Sequence, residues 1–116
     1  MNFSLKNKFR YKFFNTGNIE IYCFCQIFEK SNFFLVGCFN LDARVNLVKL
    51  FKLKEGKELG IRYLQEIENI DDIFGGFELP VNNIVQIKDS GKIIITTIDG
   101  RIYLFSKPNL ELYLDK

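Results

Sequence analysis

The chain has 116 residues and contains neither histidine nor tryptophan, only two prolines and three cysteines. Without histidine it lacks the commonest general base and the usual partner of a serine or cysteine nucleophile, so the sequence predicts a protein that is not an enzyme. Its longest dense apolar run is residues 33–39. A transmembrane helix needs about 20 apolar residues, so no membrane span is expected.

The cysteines, Cys23, Cys25 and Cys38, are too few and too oddly numbered for a disulfide framework. Free cysteine is usual in reducing compartments, which indicates a cytoplasmic protein, with the nucleus as the alternative. Cys23 and Cys25 share one face of a strand because side chains alternate with a period of two. Structural zinc normally takes four ligands with Cys-x-x-Cys spacing. The thiols are therefore interpreted as packing residues, and neither a metal nor a cofactor is predicted.

The net charge is also small, because 16 basic residues nearly balance 14 acidic ones to leave a value of +2. So small a charge does not indicate nucleic acid or an anionic membrane as a partner. Residues 1–18 are the exception, since basic residues occupy every second position from 6 to 12, and the residues between them are Leu5, Asn7, Phe9, Tyr11 and Phe13. This alternation predicts an N-terminal edge strand and supports RNA binding as an alternative function. The basic residues are Lys6, Lys8, Arg10 and Lys12.

Apolar residues make up 47% of the chain and aromatic residues 16%, which is enough for one packed domain over residues 1–116. The clearest pattern lies in residues 81–116, where short apolar runs alternate with turn residues. Asp99-Gly100 is a strong signal for a tight hairpin turn. Connections this short force neighbouring strands to be antiparallel, which predicts a four-strand meander. The predicted strands are residues 81–88, 92–98, 101–106 and 110–114.

Residues 19–64 repeat this plan, and residues 65–80 form an acidic, solvated connector between the two copies. When the copies are aligned, Leu35 falls on Ile95 and Leu47 falls on Leu104. A repeat of about 40 to 60 residues, each a four-strand unit, is typical of propeller blades. The sequence therefore predicts an all-β protein made of two antiparallel, blade-like meanders. The strands predicted in the first copy are residues 19–28, 33–39, 44–51 and 60–64.

Residues 93–106 resemble the second and third strands of a WD40 repeat. Asp99-Gly100 occupies the tight turn, and Phe105-Ser106 stands where that family closes on Trp-Asp. In the first copy the matching pair is Val48-Lys49, and the family's Gly-His pair is absent because the chain has no histidine. The resemblance covers about two thirds of the chain. It implies a partial β-propeller of about two blades.

Propellers usually close with about four to eight blades, so two blades alone leave faces uncovered. The resemblance thus implies a non-enzymatic protein–protein interaction module, or a propeller fragment acting as a scaffold in a larger assembly. Its partners would be other protein subunits or further copies of the chain. We expect the contacts at loop positions Arg44, Asp99, Arg101 and Lys107. The alternative architecture is a small closed β-barrel that binds an apolar small ligand.

Overall fold

The structure is a computed structural model that describes residues 17–57 and 62–115. These residues form an all-β fold, as predicted, and no helix among them is long and apolar enough to cross a membrane. The edge strand predicted at residues 5–14 lies outside the described residues. The elements are β1 (Ile19–Gln26), β2 (Phe33–Asn40), β3 (Val45–Glu55), β4 (Arg62–Asn69), α1 (Asp71–Phe74), β5 (Val81–Gln86), β6 (Ile93–Thr97), β7 (Ile102–Phe105) and α2 (Glu111–Leu114).

The strands form two antiparallel meanders whose spatial order follows the sequence. The first sheet has the order β1-β2-β3-β4, and the second has the order β5-β6-β7. In the second sheet, a tight turn makes β6 and β7 neighbours. Gly100 in this turn has a φ of 88°, and its N–H donates to the carbonyl of Thr97 at 3.0 Å. In the first sheet the side-chain oxygen of Asn40 accepts from the N–H groups of Asp42 and Ala43 at 3.0 and 2.9 Å and so shapes the β2–β3 turn.

The two sheets pack face to face, and the side of each sheet that meets the other is called its inner face. One continuous cluster of buried side chains joins both inner faces. Leu35 of β2 and Ile95 of β6 are both fully buried in it. Burial of this shared apolar surface is the main term that holds the sheets together. The inner-face members from the strands include Phe33, Leu35, Val48, Leu50, Val81, Ile84, Ile93 and Ile95.

The sheets approach closely where Val81 of β5 packs against Gly37 of β2. A Cβ atom added to Gly37 would lie 2.7 Å from the Cys23 Sγ and 2.8 Å from a methyl carbon of Val81. The Cys23 thiol lies 3.6 Å from the carbonyl oxygen of Val81 and so also contacts the β5 backbone. A glycine is therefore required here because there is no room for a side chain.

Away from Gly37, the segment between the sheets and the C-terminal residues complete the core. Phe74 of α1 packs edge-on against Phe105 at a centroid distance of 4.8 Å. Phe77 packs edge-on against Tyr103 at 5.2 Å and forms a β-bridge with Asn46 of β3. The connection between the two sheets is therefore a packed part of the core.

Two predicted elements differ in the structure. Residues 110–114, predicted as a strand, contain helix α2, whose start is fixed by the Asn109 side-chain oxygen accepting from the N–H of Glu111 at 3.2 Å. Leu110 and Leu114 are both buried, and a spacing of four places both on one helix face. Strand β4 extends to Asn69, well into the predicted connector, because the long strand β3 offers it a partner along its whole length.

The described residues form two open sheets and neither a closed barrel nor a propeller. In a propeller, equivalent residues of successive blades point the same way around the ring. Here the aligned residues Leu35 and Ile95 share the core between the sheets. The two copies thus turn equivalent sides toward each other.

We expect Gly37→Ala to lower the free energy of unfolding by about 1 to 3 kcal/mol, since the new methyl group would overlap Cys23 and Val81. Urea unfolding followed by circular dichroism would measure it. Gly76→Ala is the matched control, because its nearest neighbour would be the Asn46 carbonyl oxygen at 3.8 Å. Equal stabilities of the two variants would contradict the close approach.

Candidate interaction surface

The second sheet presents a side of unusual composition to solvent. None of the 15 residues in β5, β6 and β7 is charged. On its outer face, away from the first sheet, Leu104 is paired with Ile94, which is paired with Val85. Ile102 is 72% exposed and Leu104 is 59% exposed. The outward side chains of Val85, Ile94, Ile102 and Leu104, together with the backbone of β7, are called the apolar strip.

Strand β7 also has a free backbone edge within the described residues, where β6 is its one strand neighbour. The N–H of Thr97 donates to the carbonyl of Arg101 at 3.1 Å. Hydrogen-bonded pairs alternate along an antiparallel ladder, so the next residues of β7 that bond to β6 are Tyr103 and Phe105. Ile102 and Leu104 therefore direct their N–H and C=O groups toward the free edge.

A compact polar cluster lies at the start of β7. Asp99 accepts a hydrogen bond from the Thr97 hydroxyl at 2.6 Å, and its other carboxylate oxygen lies 2.9 Å from Nε of Arg101. The Thr97 hydrogen bond, with the nearby Arg101, lowers the pKa of the Asp99 carboxyl. Arg101 also pairs with Glu78 at 3.1 Å. This end of β7 therefore carries two acids around one base.

The four predicted contact residues are divided between the two ends of the strands. Asp99 and Arg101 are in direct contact, and Arg44 lies in the exposed β2–β3 turn with a φ of 57°. Asn46 donates to the carbonyl of Glu78 at 3.3 Å, which links that turn region to the Arg101 cluster. Lys107 lies at the opposite end of β7, against the position of Gly91, with a φ of 36°. The contact residues thus flank the apolar strip.

The apolar strip itself was not among the predicted contact residues, although residues 101–106 were predicted as a strand. The available signal was the lack of any charge between Arg101 and Lys107. Exposed edge strands usually carry lysine, proline or another charge that blocks pairing. Without knowledge that residues 110–114 are not a strand, β7 could not be recognised as an edge.

A second apolar feature lies on the outer face of the first sheet. A groove of about 260 Å³ is lined entirely by apolar side chains. Phe24, 68% exposed, forms its rim and packs edge-on against Phe34 at 6.1 Å. The lining residues are Ile21, Phe24, Phe34, Val36, Leu53 and Leu64.

Beside this groove a charged pair is set into the outer face of the first sheet. Lys49 is buried and forms a salt bridge with Glu66 of β4. Cys38, on the neighbouring strand, is fully buried, and this burial raises the pKa of its thiol to about 11. Lys49 opposes that shift and Glu66 adds to it. Glu66, predicted to be solvated, is therefore paired.

The three cysteines do not converge. Cys23 and Cys25 pack against the core between the sheets, whereas Cys38 belongs to the cluster on the outer face of the first sheet. Burial raises the pKa of Cys23 and Cys25 as well. Within residues 17–57 and 62–115, no group of three potential metal ligands is close enough to hold an ion.

Polar side chains join the two sheets at the end opposite the Asp99 cluster. The buried Gln86 of β5 accepts from the N–H of Phe28 at 2.8 Å and donates to the Glu29 carboxylate at 2.8 Å. A cavity of about 280 Å³ adjoins this network and includes Lys88 and Lys107 in its lining. Gln86 is fully engaged in these contacts, so the arrangement orders the turns around it.

Comparison of the chain with protein-family models, with curated proteins and with solved structures finds no match in any of the three.

We expect native Cys38 to react with iodoacetamide about 50-fold more slowly at pH 9 than in the unfolded chain. With a pKa of about 11 instead of 9.0, about 1% rather than about half of the thiol is ionised. Peptide-level mass spectrometry with and without urea would measure the two rates. Equal rates would contradict the burial of this thiol.

The same shift predicts a pH dependence of stability. Between about pH 9 and 11 the unfolded chain loses the Cys38 proton while the folded chain keeps it. The free energy of unfolding should therefore fall as the pH rises through this window. Cys38→Ala should show a smaller fall, because other titrating groups remain and this thiol is gone. An unchanged slope would contradict the assignment.

Proposed function

We propose that the protein is a non-enzymatic protein-interaction module that binds partners through the apolar strip. The observation that carries the proposal is the combination of exposed Ile102 and Leu104 side chains with a backbone edge that pairs with no other described strand, on a sheet whose strands carry no charge. Exposed edges offer backbone donors and acceptors, and apolar faces offer surface to bury.

The combination favours a protein partner over a small molecule. A strand edge is recognised by another extended chain, which supplies hydrogen bonds in register, while side chains on alternate positions give selectivity. The polar residues Asp99, Arg101 and Lys107 flank the strip, as the polar rim of an interface does. These residues then orient the partner, and the apolar strip supplies most of the binding energy.

The scaffold role in a larger assembly is part of this proposal, and the propeller resemblance adds to it at the level of analogy. The Asp99-Gly100 hairpin and the two consecutive meanders agree with the resemblance, whereas the packing of equivalent sides against each other does not. The proposed binding mode does not depend on a propeller, because it uses only β7 and the outer face of its sheet.

Site-specific photo-crosslinking in the cells that produce the protein tests the function. With Ile102 replaced by benzoylphenylalanine, we expect covalent adducts of defined mass, because the side chain lies inside the interface. The matched control replaces Leu112 of α2, which is 73% exposed and is not part of the apolar strip. Adducts that are absent from Ile102, or equal in yield at Leu112, would contradict the proposed surface.

The groove on the first sheet supports a second candidate function, the binding of an apolar small molecule. Its volume of about 260 Å³ and its wholly apolar lining suit a small hydrophobic ligand better than a polar one. This site lies on the outer face of an open sheet, whereas the barrel alternative placed the ligand inside a closed barrel.

We expect the neutral dye N-phenyl-1-naphthylamine to increase in fluorescence on binding this groove. Phe24→Ser should weaken binding about tenfold, because the rim loses the exposed aromatic ring that a bound dye would cover. Phe28→Ser is the control, since Phe28 is also exposed but lines the cavity near Gln86. Equal affinities in the two variants would exclude the groove as the dye site.

RNA binding stays a prediction, and the basic strand that motivated it lies outside the described residues. Among the lysines of β3, Lys52 has its ammonium group 5.3 Å from the centre of the Phe33 ring. That contact gives Lys52 a role in packing.

A further inference from the structure

We propose that the partner at β7 is a second copy of the chain, whose β7 pairs antiparallel with the first across a two-fold axis at Tyr103. The inference rests on the proposed function and names the occupant of the same surface. The two second sheets would then form one continuous sheet of six strands. Three observations support this pairing: the positions of the free backbone groups, the directions of the side chains, and the charges at the strand ends.

The free backbone groups fix the possible registers. Ile102 and Leu104 direct their N–H and C=O groups to the edge, as the Thr97–Arg101 hydrogen bond establishes. Groups on two such edges bond only when these residues lie opposite one another. With Tyr103 on the axis, each Ile102 faces a Leu104, and all four groups of each copy are used. A register centred on Ile102 would set Leu104 opposite Gly100, and one centred on Leu104 would set Ile102 opposite Ser106, both of which lie outside β7.

Side-chain directions agree with this register. Residues directly opposite in an antiparallel pair point to the same side of the sheet. Ile102 and Leu104 both point outward and are among the most exposed apolar residues described, so each cross-strand pair joins two side chains of the apolar strip. Tyr103 and Phe105 point inward and keep their contacts with Phe77 and Phe74. Pairing therefore requires no rearrangement of the core.

Charges at the two ends of β7 are complementary. The start of the strand carries Asp99 and Glu78 around Arg101, an excess of one negative charge. The far end carries Lys107. Antiparallel pairing brings the start of each β7 beside the far end of the other, so each Lys107 meets the acidic end of its partner. A register shifted to Leu104 would instead place Arg101 opposite Lys107, which is repulsive.

The proposed contact closes on itself. A two-fold arrangement uses the same surface on both copies and leaves no second β7 edge for a third copy. The opposite edge strand of this sheet, β5, lies against the first sheet. There Gln86 contacts Phe28, and Val81 contacts Cys23. The expected product is therefore a dimer and not a fibre.

Sedimentation velocity from about 1 to 100 μM tests the dimer, because interfaces this small bind weakly. The wild-type chain should shift from monomer toward dimer across this range. Leu104→Lys should raise the dissociation constant at least tenfold, since two like charges would face the apolar strip. Leu112→Lys, the same change on an exposed residue of α2, should leave it within about twofold. Thermal unfolding of each variant verifies folding.

A charge exchange tests the register. Asp99→Lys and Lys107→Asp should each weaken the dimer about three- to tenfold, and the double variant should recover most of the loss. Aspartate suits position 107 because it tolerates the positive φ found there. Losses that simply add in the double variant would overturn the proposed pairing of the strand ends.

The outcomes of these experiments distinguish the proposed dimer from the proposed interaction function. A chain that stays monomeric at 100 μM but gives Ile102 adducts with other proteins would overturn the dimer and keep the interaction surface. A dimer whose dissociation constant does not change with Leu104→Lys would overturn the β7 contact. A monomer that gives no Ile102 adducts would overturn both.

Discussion

The close approach of the two sheets at Gly37 is the constraint on which the remaining structure depends. Cys23 and Val81 occupy the space that a side chain at this position would need, so β5 packs tightly against β1 and β2. With one side of the interface held close, aromatic residues from the connector complete the core, and Phe77 packs on Tyr103. That contact fixes which side of β7 faces inward. The direction of Ile102 and Leu104 toward solvent is a consequence of packing at the other side of the second sheet.

Two outer faces remain, and they differ in character. The first sheet sets the Lys49–Glu66 pair into its outer face beside an apolar groove, whereas the second has no charged residue in any strand. A charge buried within a surface disfavours close packing against a partner unless it stays paired. The second sheet imposes no such condition and also has a free strand edge. These differences are why we propose protein contacts for the second sheet and a small apolar ligand for the first.

The sequence was sufficient for the strand content and the antiparallel meanders, because alternation and turn residues such as Asp99-Gly100 act locally. It was not sufficient for the mutual orientation of the sheets, since alternation defines two faces without showing which one meets the other sheet. Leu35 and Ile95 are both strongly apolar in a consecutive apolar run, so their inward direction follows only from packing. The spacing of Leu110 and Leu114 suits either one face of a helix or one side of a strand. In the structure both residues are buried by a helix. The apolar strip was missed for a related reason. Residues 110–114 were predicted as the strand beside β7, so the sequence did not show that β7 is an edge strand.

The consecutive order of the strands also has a consequence during synthesis on the ribosome. The first sheet is complete in sequence at Asn69, and the last strand of the second sheet ends at Phe105, 36 residues later. At translation rates of about 5 to 20 residues per second, this delay is roughly 2 to 7 s. Throughout it the inner face of the first sheet, including Leu35 and Leu50, has no second sheet to cover it. During synthesis the first sheet therefore exposes an apolar β surface for seconds before the strands that cover it have been made.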